Sequence, residues 1–161
     1  MSRRSRLFAS LRALGINPKM DTFAERKKVQ KLTYLLDKVF DMNFKFSYNW
    51  YLHGPYSPEV TTTLFDVIER GQIVRSDPRV LLAEDLRKID QLKSFLGDDL
   101  DSNDKLELLV SVHFLMQYAR ALKDPNITQE DVVAFLKTKK PYFTDEEIFE
   151  AIDQLRMLED L

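Results

Sequence analysis

The sequence predicts an α+β fold that is mainly helical, with six or seven helices and a small two-stranded element. Three observations support this fold class. Apolar residues recur at helical spacing through most of the chain, one aromatic segment alternates with a period of two, and 161 residues, 44% of them hydrophobic, can bury a core. The N-terminal part is also compatible with a winged-helix-like lobe, because three helices and a short strand pair could form that motif.

The N-terminal helices follow from capping signals and apolar spacing. Leucines at helical spacing predict a helix over 3–14, which Gly15 ends. Thr22 and Glu25 form a capping box that opens a second helix, expected to run to about Met42. Its apolar side chains recur every three or four residues, which predicts one buried face.

The middle of the chain changes period. Aromatic and polar residues alternate over 44–52, which predicts a half-buried strand. Residues 53–56 read as a turn, and Ser57 as the N-cap of a helix over 58–70. A second short strand is expected over 72–75.

The second half is predicted to be wholly helical. Helices are expected over 83–96, over 103–122, and after the cap residues Thr128 and Thr144. The acidic loop after Gly97 is the best candidate boundary. We therefore expect an N-terminal mixed lobe over 1–97 and a C-terminal helical lobe over 98–161, within one compact domain overall.

Composition excludes most catalytic devices. The chain has no cysteine, two histidines and four glycines, so it lacks a thiol nucleophile, a thiolate metal site and a glycine-rich phosphate loop. We predict no catalytic residue, no metal and no cofactor, and therefore no enzyme. No apolar run approaches the roughly 18 residues of a membrane span, and none at the N-terminus suits a signal peptide. The expected location is cytoplasmic, with no membrane partner.

The net charge of −2 conceals an uneven distribution. Residues 1–31 carry nine bases and two acids, a charge of +7, while the remainder carries 15 bases and 24 acids, a charge of −9. A basic end on an acidic body favours an anionic partner, although lysine and arginine are also the usual residues of solvated helix faces. The candidate nucleic-acid contacts are Arg3, Arg4, Arg6, Arg12, Arg26, Lys27, Lys28 and Lys31. Helix 58–70 carries three acids and one arginine, and this balance of charge argues against its binding a nucleic-acid duplex.

Residues 48–60 hold the densest set of informative side chains. Tyrosine, tryptophan and histidine beside a Gly-Pro turn are typical anchors of protein interfaces. The alternative is core packing, which the alternation favours for Tyr48 and Trp50. The predicted contact patch consists of Tyr34, Tyr51, His53, Gly54, Pro55 and Tyr56. The other histidine, His113, lies in an apolar helix and is predicted to be a core or interface residue.

Two motifs in the first half resemble the Panacea domain. Residues 29–37 read Val-Gln-Lys-Leu-Thr-Tyr-Leu-Leu-Asp, and residues 54–60 read Gly-Pro-Tyr-Ser-Pro-Glu-Val. A Lys-Leu-x-Tyr helix followed by a Gly-Pro turn that opens the next helix is similar to the signature of that family, which includes SocA-like antitoxins and proteolytic adaptors. The Trp-Tyr-Leu-His-Gly-Pro-Tyr-Ser stretch resembles related YwgA-like proteins. The matching positions are Lys31, Leu32, Tyr34, Gly54, Pro55, Tyr56, Ser57 and Pro58.

The resemblance covers about 24–70 and implies a compact, mainly helical fold with a non-enzymatic role. In that family the role is to neutralise a toxin or to deliver a partner to a protease. We therefore expect a protein-interaction module, antitoxin-like or adaptor-like, whose partner is a toxin or a protease substrate. The alternative prediction is a nucleic-acid-binding, winged-helix-like regulator that uses the basic N-terminal helices.

Overall fold

The computed structural model describes residues 2–69 and 80–159. Within them, seven α-helices and a two-stranded antiparallel sheet confirm the predicted fold class. The helices are α1 (Arg3–Ala13), α2 (Phe23–Tyr34), α3 (Pro58–Glu69), α4 (Ala83–Leu96), α5 (Asn103–Leu122), α6 (Gln129–Lys139) and α7 (Asp145–Glu159). The strands are β1 (Asn49–Tyr51) and β2 (Gly54–Tyr56). The winged-helix-like arrangement stays a prediction.

The chain forms two compact units, Met1–Leu106 and Glu107–Leu161. The first contains α1 to α4, the sheet and the start of α5, and the second contains the rest of α5 with α6 and α7. The sequence placed the boundary between residues 97 and 98, at the acidic loop. In the structure that loop is the short 3-10 helix Gly97–Asp101, and the division falls inside α5.

The core of the first unit is built around α1. Its side chains Leu7, Phe8 and Leu11 are fully buried, and the helix packs against α2, α3 and α4. The Ser2 side chain caps the helix, which ends where Gly15 adopts a φ of 87°. Glycine adopts this positive φ with little strain, whereas other residues do not, and this explains the predicted end of the helix after residue 14.

The segment over 44–52 is a strand only at its end. Burial alternates as predicted, with Phe44 and Phe46 buried and Lys45 exposed, but strand pairing begins at Asn49. The prediction of a strand from residue 44 is therefore wrong. The chain departs from a strand here because Asp41, Asn43 and Lys45 have left-handed backbone, with φ values of 57°, 61° and 65°.

The second helix also ends earlier than the expected Met42. The α-helix stops at Tyr34 and continues as a π-helical turn, Leu35–Val39. A π turn widens the backbone and shifts the side chains that follow it. It places Asp37 in the core, where this carboxylate binds the irregular segment that follows.

The hairpin differs from the predicted strand pair. Asn49 is opposite Tyr56 and Tyr51 is opposite Gly54, so the two-residue connection is 52–53. The prediction that 53–56 is a turn is wrong, because most of that segment is β2. Gly54 has a φ of 97°, a conformation that favours glycine directly after the turn. The other expected strand, 72–75, lies outside the described residues.

The second unit matches the predicted caps and helix bounds. Thr128 and Asp131 form a reciprocal capping box at α6, and Thr144 pairs with Glu147 in the same way at α7. The buried carboxylate of Glu107 accepts a hydrogen bond from Tyr142 and lies 3.7 Å from the ammonium of the buried Lys140. No helix in the described part of the chain is long and apolar enough to cross a membrane.

Candidate functional site

One cleft in the first unit brings together the aromatic turn and part of the basic N-terminal region. We call it the α2–hairpin cleft, and its volume is about 300 Å³. It is lined by Phe23, Arg26, Lys27, Gln30, Lys31, Tyr51, Leu52, His53, Gly54, Pro55, Tyr56 and Thr61. A pocket of this size is at the lower end of the range for small-molecule sites and can hold one or two side chains.

The helix side of the cleft is a single face of α2. Residues 23, 26, 27, 30 and 31 are spaced by three and four, so they follow one another along the same side of the helix. Phe23 lies in the first turn, where the Thr22 hydroxyl accepts a hydrogen bond from the Glu25 amide. The Glu25 carboxylate accepts from the Asp21 amide rather than from the Thr22 amide, so one half of the predicted capping box forms and the other half is displaced by one residue.

The hairpin side consists of aromatic and apolar side chains around the 52–53 turn. Tyr51 packs edge-on against Tyr56, with ring centroids 5.3 Å apart, and His53 packs edge-on against Phe23 of α2 at 5.2 Å. Tyr51 is 46% exposed and Leu52 is 84% exposed. The cleft therefore has an apolar rim that is open to solvent, while its aromatic rings are held by contacts with one another.

Gln30 joins the two sides. Its amide nitrogen donates to the Ser57 carbonyl and to the Thr61 hydroxyl, both at 2.8 Å, and its amide oxygen accepts from the Ser57 amide at 3.1 Å. Thr61 in turn lies 2.8 Å from the Tyr56 hydroxyl. This buried glutamine fixes the start of α3 against α2. The sequence had assigned Ser57 as a side-chain cap, but its hydroxyl has no hydrogen-bond partner among the described residues.

The charge of the cleft is positive. Three cations, Arg26, Lys27 and Lys31, line it, and no carboxylate from the described residues does. Arg26 donates to the Met20 carbonyl at 3.2 Å, and the Lys27 ammonium lies 5.1 Å from the centre of the Phe23 ring. Lys31 is a buried residue, so its charge acts in a medium of lower dielectric than water.

The predicted contact patch is partly at this cleft. Tyr51, His53, Gly54, Pro55 and Tyr56 all line it. Tyr34 does not, because it is 3% exposed and packs edge-on against Tyr48 at 4.9 Å. Burial raises the pKa of both Tyr34 and Tyr48, with Asp37 adding to the effect, so both stay neutral. The assignment of Tyr34 as a surface contact is corrected: it is a core residue.

The predicted basic surface divides into three groups. Only Arg26, Lys27 and Lys31 line the cleft. Three of the others pair with carboxylates of the same unit: Arg3 with Glu59 at 2.7 Å, Arg6 with Asp85 at 2.7 Å, and Lys28 with Asp101 at 2.8 Å. The last two, Arg4 and Arg12, lie on α1 away from the cleft.

Each histidine packs within its own unit. His53 packs edge-on against Phe23, and the Glu59 carboxylate pairs with Arg3. His113 is buried in the second unit, where burial and the Arg120 charge lower its pKa to about 4 despite Glu159. It is therefore neutral at neutral pH. Within the described ranges, no three His, Asp or Glu side chains converge as metal ligands would.

Sequence reasoning missed four residues that shape the cleft: Phe23, Gln30, Leu52 and Thr61. The signal for the first two was the helical spacing of residues 23, 26, 27, 30 and 31, which marks a second face beside the apolar stripe of α2.

Comparison with protein-family models, with curated proteins and with solved structures finds no match. The case for a function therefore rests on this cleft.

Proposed function

We propose that the protein is a non-enzymatic interaction module that binds a partner protein at the α2–hairpin cleft. The observation that carries this proposal is the meeting of Tyr51, His53 and Tyr56 with Arg26, Lys27 and Lys31 at one solvent-open site. Tyrosine and arginine are the residue types that dominate binding energy at protein interfaces. The exposed Leu52 and Phe23 extend the apolar area at the rim.

The arrangement suits a binder because its rings are already fixed. Tyr51 is supported by Tyr56, whose hydroxyl lies within hydrogen-bond distance of Thr61, and Gln30 fixes the Ser57 backbone beside them. A partner side chain would thus enter a preformed pocket and lose little affinity to ordering. The resemblance to Panacea-domain antitoxins and adaptors supports the finer proposal that the partner is a toxin or a protease substrate.

The test is capture of a defined partner by the full chain, compared with a rim variant. Tyr51→Ala/Leu52→Ala removes two exposed side chains of the cleft rim, and we expect it to retain at least about tenfold less of the partner. The measurement is quantitative mass spectrometry of proteins retained by each immobilised chain from an extract of the source cells, with and without nuclease.

A matched control is available in the second unit. Tyr118→Ala/Leu122→Ala removes the same two residue types, which are 59% and 52% exposed there, and should leave the retained protein unchanged. A protein held equally by wild type and the cleft variant would contradict the proposed site. Retention that disappears with nuclease would instead favour the alternative, a nucleic-acid-binding regulator.

A further inference from the structure

The α2–hairpin cleft has features that identify the chemistry of its occupant. We infer that it takes an acidic segment of the partner protein in which carboxylates flank one large apolar side chain. The inference rests on the proposed function and makes it more specific. It depends on three properties of the cleft: its charge, its apolar rim and its size.

The charge selects an anion. Arg26, Lys27 and Lys31 line the cleft without a lining carboxylate from the described residues. The cleft therefore presents a net positive charge to whatever enters it, and Arg26 and Lys27 are the half-buried cations that a partner's carboxylates can reach.

The rim and the volume of the cleft indicate which other side chain the occupant carries beside its carboxylates. Phe23, Tyr51 and Leu52 expose apolar surface around an opening of about 300 Å³. That volume accepts one aromatic or large aliphatic side chain, held edge-on or stacked against the rings of Tyr51 and Tyr56. An inorganic anion would leave this apolar surface exposed to water, whereas a peptide with an apolar side chain covers it.

The distribution of charge also separates a peptide from a nucleic acid. A nucleic acid is bound by cations spaced along its backbone, and affinity follows the number of phosphates neutralised. Here Arg3, Arg6 and Lys28 are paired with Glu59, Asp85 and Asp101, so the basic N-terminal region does not present a continuous track. The cations of the cleft are clustered at one small site that fits a few residues of peptide, and they do not form such a track.

Two peptides that differ only in charge test the inference. The probes are acetyl-Asp-Phe-Glu-amide and its neutral counterpart acetyl-Asn-Phe-Gln-amide, titrated into the isotope-labelled full chain and followed by NMR. We expect the acidic peptide to shift the amide signals of Gln30, Tyr51 and Tyr56 with an affinity at least about tenfold higher than that of the neutral peptide.

Two charge variants locate the effect. Arg26→Gln/Lys27→Gln should reduce the affinity for the acidic peptide about tenfold. Arg12→Gln/Lys19→Gln makes the same change in net charge at exposed positions outside the cleft, and it should change the affinity less than about twofold. Equal responses to both peptides, no response to either, or equal effects of the two variants would overturn the inference.

Two further titrations test whether other anions bind the cleft. Inorganic phosphate or an oligothymidylate that saturates the same amide signals at or below the peptide concentration would also overturn the inference. The proposed function is tested separately. If Tyr51→Ala/Leu52→Ala loses the captured partner while the two peptides bind equally, the cleft is an interface whose occupant is not acidic.

Discussion

At the scale of single residues, Asp37 decides the course of the chain between α2 and the hairpin. Its buried carboxylate accepts hydrogen bonds from the amides of Phe44, Lys45 and Phe46, at 2.8, 3.2 and 3.1 Å. One side chain thus supplies the acceptors that a neighbouring strand would otherwise give these residues. The alternation of apolar and polar residues predicted the alternating burial of this segment. It could not show that these backbone amides donate to a carboxylate seven residues upstream instead of to a neighbouring strand.

Asp37→Asn should therefore destabilise the fold. The amide nitrogen of asparagine cannot accept a hydrogen bond, so at least one buried backbone N–H loses its partner, and we expect a loss of about 2 kcal/mol in the free energy of unfolding. Urea unfolding followed by circular dichroism measures it. Asp41→Asn is the matched control, because asparagine tolerates the φ of 57° at that exposed position. A similar loss in both variants would contradict the role of Asp37.

At the scale of elements, the bounds of the helices could largely be predicted from the sequence, whereas the contact between α2 and the start of α3 beside the hairpin could not. Apolar spacing predicted the bounds of α4 and α5 as the structure has them, because that signal lies within the helix itself. The cleft needs two elements. The sequence indicated an aromatic turn and a basic helix as two surfaces, and only the contact between Gln30 and Ser57 shows that they are one.

Gln30→Met tests that contact between elements. Methionine keeps the length and the volume of the side chain but removes its three hydrogen bonds. The Ser57 amide then loses its partner, and the Ser57 carbonyl keeps only the Val60 amide. We expect the free energy of unfolding to fall by about 2 kcal/mol and the Ser57 amide to exchange with solvent faster. Denaturant unfolding and hydrogen-exchange NMR measure the two effects.

The same substitution in α6 serves as the control. Gln129→Met changes the first residue of that helix, which is half-buried, and it should leave the free energy of unfolding within about 0.5 kcal/mol of wild type. Unchanged exchange at Ser57 in the Gln30 variant would show that packing alone holds the start of α3 against α2.

At the scale of the whole molecule, the basic residues of the uneven charge distribution lie in different settings. The sequence divides into a basic end of +7 and an acidic remainder of −9. Within the first unit, the structure pairs part of that basic end with acids far along the chain, as Arg6 with Asp85, and leaves another part at the cleft. Composition could suggest attraction between the two parts. It could not tell which cations pair with acids of the fold and which line the cleft, because that depends on the tertiary structure.

Arg6→Met tests the structural use of the charge. The guanidinium donates two hydrogen bonds to Asp85, whose side chain is buried at the start of α4. Without it the carboxylate stays buried with one fewer cation, and we expect the free energy of unfolding to fall by about 2 kcal/mol at neutral pH. Lys28→Met, the control, breaks a pair whose acid is exposed and should cost less than about 1 kcal/mol.

The pH dependence of that loss identifies its cause. Burial acts to raise the pKa of Asp85, but the hydrogen bonds from Arg6 and the Leu82 amide outweigh it and hold the pKa below its usual value. A carboxyl whose pKa is lowered by folding contributes stability above its unfolded pKa and loses it as the pH falls. The difference between wild type and Arg6→Met should therefore narrow below a pH of about 4. A difference that stays constant through this range would mean that Arg6 acts by packing over the Phe44 ring, 4.8 Å from its guanidinium carbon.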